Sequence, residues 1–187
     1  MANERPMAPK NEGTAQRRFV FVLVENFTLL SFASAVECLR IANRMAGADV
    51  YTWLVCGDSE DYVACSAGSR FQVDIGLDEL NRDDTVLVCG GADIQQYTTK
   101  RLLNWLRREA RRGLKIGGLC TASYTLAKAG LMEGKRSTIH WENHDSFSEE
   151  FPEVELTKSV FTVDGNRMTT AGGTSSIDLM LKLIADD

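Results

Sequence analysis

Hydrophobic and polar positions alternate along this chain in two rhythms, and the changes between them mark out its elements. The run FVFVLV from Phe19 to Val24 is continuously apolar, β-branched and aromatic, with polar residues at both ends. A run of that kind is a strand covered on both faces, as in the centre of a parallel sheet. The period then lengthens to three or four, with Ala35, Val36, Leu39, Ala42 and Ala46 on one helical face. Ser34-x-x-Glu37 reads as the capping box that opens this helix, and Gly47 closes it. Tyr51 to Cys56 (YTWLVC) gives another strand, and the segments from Val63 to Ala67 and from Phe71 to Asp74 give a β-hairpin. A second buried strand, Val86 to Cys89, stops at Gly90-Gly91.

The segment from Tyr97 to Arg112 is amphipathic: Leu102, Leu103, Leu106 and Ala110 form a stripe, with Arg101, Arg107, Arg108, Arg111 and Arg112 mostly opposite. The arginines read as a solvated outer face rather than a nucleic-acid patch. Leu114 to Cys120 is a third short strand that runs into a tight turn, and TASYTLAKAG is a helix ended by Gly130. A loop or short helix follows around Trp141 to Phe147, then a hairpin from Ser159 to Thr170 turning at Asp164-Gly165. The last helix comes after Gly172-Gly173, with Ser175-x-x-Asp178 as its capping box. Strands alternating with helices predict an α/β fold: a doubly wound, mostly parallel sheet with helices on both faces and a small β-hairpin. Ligands of such sheets sit outside the carboxyl ends of the strands.

A length of 187 residues suits one domain, and 44% apolar with 25% charged residues is the balance of a globular chain. Residues Met1 to Arg17 hold two of the three prolines among polar and charged neighbours, and are expected to be a flexible tail. A formal net charge of −5 disfavours non-specific binding of nucleic acid by this segment. The five cysteines (Cys38, Cys56, Cys65, Cys89, Cys120) form no CxxC pair, and only two histidines are present. Neither a disulfide framework nor a metal site is expected, nor any cofactor, and a reducing compartment fits best. No apolar run approaches the roughly 18 residues that span a bilayer, and the N-terminus lacks the apolar core of a signal peptide. The expected location is the cytoplasm, with no membrane partner.

Gly117-Gly118-Leu119-Cys120-Thr121-Ala122 carries the most chemistry: a small-residue turn, with a nucleophilic side chain, between an apolar strand and a helix. That is the grammar of a nucleophile elbow, where the chain reverses in two residues and only small neighbours fit. A helix N-terminus there favours the thiolate or cradles an anion. Cys120 is thus an elbow residue or a buried structural cysteine; the latter reading is given to Cys38, Cys56 and Cys89. His140, twenty residues on, either meets Cys120 as its proton acceptor or is a half-buried loop histidine bonded to a carbonyl. His144 reads as a surface-loop residue, Glu37 as a helix cap, and Glu142 as solvated.

Four segments in order, VLVENFTLLSFASAVECLRIANR, VLVCGGAD, GGLCTASYTLAKAGLMEGKRSTIHWE and DGNRMTTAGGTSSIDLMLKLI, resemble the class I glutamine amidotransferase-like (PfpI-like) superfamily. Within it they are similar to the N-terminal sensor domains of AraC-type transcriptional regulators, from about Arg18 to the end of the chain. The resemblance implies a flavodoxin-like sandwich, commonly a homodimer, with its pocket at the elbow. Placed around that pocket are Glu25, Asn26, Ser31, Gly90, Gly91, Cys120, Thr121, His140, Trp141, Gly173 and Thr174. In such regulators a C-terminal helix-turn-helix domain binds DNA. The chain stops at Asp187 directly after its last predicted helix, so residues 18–187 are expected to be a sensor domain that reaches DNA only through a domain outside this chain.

Where the chain departs from the enzymes of that superfamily, catalysis is put in doubt. Amidotransferases place a histidine and a glutamate late in the chain, yet nothing after His144 is a histidine. Hydratase relatives carry an aspartate after a leucine pair where this chain has Leu29-Leu30-Ser31, and serine cannot replace it as an acid or base at neutral pH. The expectation is therefore a ligand sensor, with Cys120 and His140 as vestiges. A cysteine-dependent hydrolase or hydratase using that pair is the alternative. The resemblance points to a nitrogen-rich effector, an amino acid or a quaternary amine. Trp141 would offer such a cation its ring, unless it packs in the core, and Glu25 or Glu142 the countercharge.

Overall fold

The computed structural model describes residues 16–58 and 61–187. Its centre is a six-stranded sheet. The elements run β1 (Arg17–Leu23), α1 (Leu29–Ala46), β2 (Tyr51–Gly57), β3 (Tyr62–Ala64), β4 (Arg70–Gln72), β5 (Thr85–Cys89), α2 (Ile94–Tyr97), α3 (Lys100–Arg111) and β6 (Lys115–Leu119). A 3-10 turn over Cys120–Ala122 leads into α4 (Ser123–Lys128), followed by β7 (Arg136–Ser137), α5 (His144–Glu150), β8 (Glu155–Leu156), β9 (Phe161–Asp164), β10 (Arg167–Thr170) and α6 (Ser175–Ala185). The strand order is β2-β1-β5-β6-β10-β9, parallel throughout except for the antiparallel β10–β9 edge. Strands β3 and β4 form the expected small hairpin, and β7 with β8 a second two-stranded sheet.

The alternation along β1 shows how one sequence serves two cores. Phe19, Phe21 and Leu23 point to the side covered by α1 and α6, and Val20, Val22 and Val24 to the side covered by α3 and α4. Each is at most 4% exposed, so every position from Phe19 to Val24 is apolar. Full burial of one such side chain contributes about 1.5–3 kcal/mol. Order reverses beside β1, which has β2 on one side, reached through α1, and β5 on the other. The crevice at the carboxyl ends of the strands opens there.

Four sequence expectations shift. Residues 1–15 of the expected tail lie outside the described residues, but Arg17 and Arg18 belong to β1. The Arg17 guanidinium covers the Phe19 ring and pairs with Asp187. Helix α1 begins at Leu29 with Thr28 as N-cap, so Ser34 and Glu37 are interior. The Ser34 hydroxyl donates to the Ser31 carbonyl, and the exposed Glu37 pairs with Arg40. What fixes the start is tertiary: the Thr28 N–H donates to the Gly90 carbonyl at 3.0 Å. The final helix is likewise opened by Thr174, without a side-chain cap, and Ser175 donates back to the Gly172 carbonyl through both its N–H and its hydroxyl. The helix expected over residues 97–112 is two pieces, because Thr98 bonds the Ile94 carbonyl and Thr125 while Thr99 caps α3 by accepting the Leu102 N–H.

The arginines of α3 are largely pins. Arg107 donates to the Ala129 and Lys128 carbonyls, Arg101 pairs with Asp58, and Arg108 and Arg112 hold the fully buried Glu109 between them. Among the described residues, no helix is long and apolar enough to cross a membrane.

Candidate functional site

Cys120 is the first residue beyond β6 and has φ 62°, a left-handed conformation unusual for a side-chain-bearing residue. The turn survives because its neighbours are small: a Cβ on Gly118 would lie 2.8 Å from the Ser123 nitrogen. Cys120 is 4% exposed, and its N–H donates to Thr170 Oγ1 at 3.2 Å, which ties the elbow to the end of β10. Its Sγ lies 3.6 Å from Thr28 Oγ1 at the start of α1. The Thr121 hydroxyl donates to the Gly91 carbonyl at 2.7 Å, so the Gly90-Gly91 turn docks on both α1 and the elbow. Cys120 thus sits where the ends of β5, β6 and β10 meet the start of α1.

Gly172 brings His140 to the same place. A Cβ there would lie 2.9 Å from Cys120 Sγ and 2.8 Å from His140 Cδ2, so thiol and imidazole flank one backbone position. Among the described residues no hydrogen bond joins them. The thiol's polar neighbour is Thr28, and His140 Nδ1 lies 3.5 Å from Glu142 Oε2. The exposed Glu142 expected from sequence therefore has a partner. Trp141 is 74% exposed with its ring centroid 5.9 Å from that of His140, which removes the core-packing reading. His144 is half-buried, and its Nε2 lies 3.1 Å from the Thr157 carbonyl, so it is a structural residue that opens α5 rather than a free surface-loop one.

The other expected residues divide. Ser31 is completely buried on α1, with a hydroxyl that has no hydrogen-bond partner, and Ser176 on α6 is the same. Gly173 and Thr174 open α6 beside the elbow. Asn26, with φ 65°, donates to the Ala92 carbonyl and acts as a turn residue. Glu25 is exposed and accepts from the Ala64 N–H at 3.2 Å. It lines a cavity of about 330 Å³ bounded by β1, β3, α2 and α3, whose lining does not include Cys120 or His140. The sequence reading missed Thr28, Thr170 and Gly172. No spacing rule singles out a threonine that meets a thiol across ninety residues, although Thr170 and Gly172 lie in the quoted segment TTAGG.

Burial pushes the Cys89 thiol far above its ordinary range, with the neighbouring Cys120 as the second cause. Burial likewise pushes Cys56 up to about 12, helped by Asp78 and Asp58. Cys38 is raised for the same first reason but is only partly covered. No group of three or more His, Cys, Asp or Glu capable of holding a metal ion occurs among the described residues.

A mostly parallel doubly wound sheet with a strained cysteine at a strand-to-helix elbow defines the glutamine amidotransferase-like class of α/β proteins. Within that class the chain belongs to the DJ-1/PfpI family, whose model matches residues 17–186. It is 44% identical over 167 residues to the HTH-type transcriptional regulator CdhR of Pseudomonas aeruginosa, covering 89% of this chain and 49% of that protein. The chain thus spans about half the length of this curated relative. The crystal structure of an AraC family transcriptional regulator from Pseudomonas putida superposes with a TM-score of 0.79 at 28% identity, covering 91% of each chain. A more distant relative is an enzyme: isonitrile hydratase of Pseudomonas putida is 31% identical over 124 residues, covering 65% of this chain and 53% of that protein.

Proposed function

We propose that residues 18–187 are the ligand-sensing domain of an AraC-family transcriptional regulator that binds a small nitrogen-rich metabolite, an amino acid or a quaternary amine, beside Cys120 without consuming it. The observation that carries this reading is the wiring of the elbow. Cys120 faces a threonine hydroxyl and a glycine, while His140 is directed to Glu142 and makes no hydrogen bond to the thiol among the described residues. A thiol without an aligned base is a pocket wall rather than an activated nucleophile. The position after Leu29-Leu30 is a serine sealed from solvent, unsuited to acid or base work.

What surrounds the elbow suits the ligand class. Trp141 presents an exposed ring beside Glu142, a π face with a countercharge for an ammonium group. The uncapped N-terminus of α6 suits the carboxylate of the same ligand. The protein acts as a cytoplasmic homodimer and reaches DNA through a separate helix-turn-helix domain. For pairing we assign the outer face of α1 and α6, where Leu30, Ile41, Met45, Ile177 and Leu181 stand exposed on two helices packed side by side.

Ligand-observed NMR of the purified chain with arginine, betaine and carnitine tests the proposal. Attenuated signals from one compound that stays chemically unchanged for hours are expected, with Cys120→Ser folded and altered only modestly in affinity. Product peaks that vanish in Cys120→Ser would instead make the protein a cysteine-dependent hydrolase or hydratase.

A further inference from the structure

The carboxyl edge of the sheet holds a concavity apart from the elbow. The crevice of about 330 Å³ opens where β1 ends, beside the exit of β2 and under α2 and α3. Its volume lies within the range of roughly 300–1,000 Å³ common for small-molecule sites, and it sits where the strand order reverses. Val22, Val24, Val63 and Leu102 give it a buried apolar wall. It shares no lining residue with the elbow, so whatever it holds is read separately from a ligand at Cys120.

The polar rim is uneven. Asp58 accepts from Thr99 Oγ1 at 2.5 Å and pairs with Arg101 at 3.2 Å, while Thr99 also accepts the Leu102 N–H. Those groups satisfy one another. Glu25 differs, because its exposed carboxylate accepts from the Ala64 N–H and has no cationic partner among the described residues. Tyr97, half-buried, lines the same crevice. Arg101 balances the Asp58 charge, which leaves Glu25 as the unpaired carboxylate of the rim, and a carboxylate near an aromatic ring and an aliphatic wall suits a cation with an apolar body.

We propose that this crevice binds a small organic cation of the alkylammonium class, with its charged head on Glu25 and its body against Val24, Leu102 and the Tyr97 ring. The test titrates the ¹⁵N-labelled chain with n-butylammonium chloride and, at matched ionic strength, with sodium butyrate, the anion of equal length. Saturable amide shifts at Glu25, Ala64, Gln96 and Tyr97 are expected with butylammonium and not with butyrate, while Cys120 and Gly172 stay still. Glu25→Gln, at an exposed position that keeps an acceptor for Ala64, weakens binding about tenfold, the equivalent of about 1.4 kcal/mol. Glu149→Gln, an exposed carboxylate on α5, leaves it unchanged. No shifts in the crevice, an equal response to butyrate, shifts confined to the elbow, or unaltered affinity in Glu25→Gln would each overturn the proposal.

Discussion

Gly172 decides how close the thiol and imidazole come. With φ 99° and both side chains crowding its missing Cβ, it tolerates no larger residue without moving one of them. Gly172→Ala is expected to cost about 2–4 kcal/mol in urea unfolding. A loss under 0.5 kcal/mol would show that the contact is loose. Cys56 makes an opposite kind of statement. With its thiol at about 12, it remains protonated at pH 8, so native Cys56 is expected to resist iodoacetamide while the denatured chain alkylates fully. Mass spectrometry that finds native and denatured Cys56 equally reactive would contradict the burial. The elbow cysteine was legible in sequence because a GGLC turn between strand and helix has few other uses. Thr28, Thr170 and Gly172 were not, since contacts between distant segments leave no local pattern.

The strands were the legible elements, because a buried parallel strand must be apolar at every position, and FVFVLV and VLVC are. Helix starts were not. Both expected capping boxes fall inside or beside helices whose first turns are set by Gly90 and Gly172, tertiary anchors that override a local signal. One strand-level contact was equally hidden: Arg18 on β1 makes a two-pronged bond to Asp84, at 2.8 and 2.7 Å, just before β5. Asp84 is 3% exposed and also accepts the Asn81 N–H. The side-chain hydrogen bond to Asp84 is the first cause that raises the Arg18 pKa. Arg18→Met strands a buried carboxylate and is expected to lower stability by about 3 kcal/mol, with partial recovery in Arg18→Met/Asp84→Asn. Thermal unfolding distinguishes the two variants, and equal stability of wild type and Arg18→Met would refute the role given to the pair.

The architecture followed from the alternation of strand and helix, and the family from four short segments, but quaternary arrangement has no such signature. The outer stripe on α1 and α6 becomes visible only once the two helices lie side by side, since in sequence 128 residues separate Ala46 from Ser175. On the proposed pairing, wild type sediments as a dimer and Met45→Glu combined with Leu181→Asp as a folded monomer with unchanged circular dichroism. A protein that stays dimeric in that variant pairs through another face.

Helix α6 is held differently at its two ends. Two left-handed glycines, 172 and 173, precede it beside Cys120, while just past its last turn Asp187 is bonded to Tyr51 and Arg17 at the starts of β2 and β1. Over eleven residues it covers about 16 Å. It therefore ties the carboxyl edge of the sheet, at Cys120, to the amino edge, at Arg17 and Tyr51, so that a single helix anchors both ends of the strands.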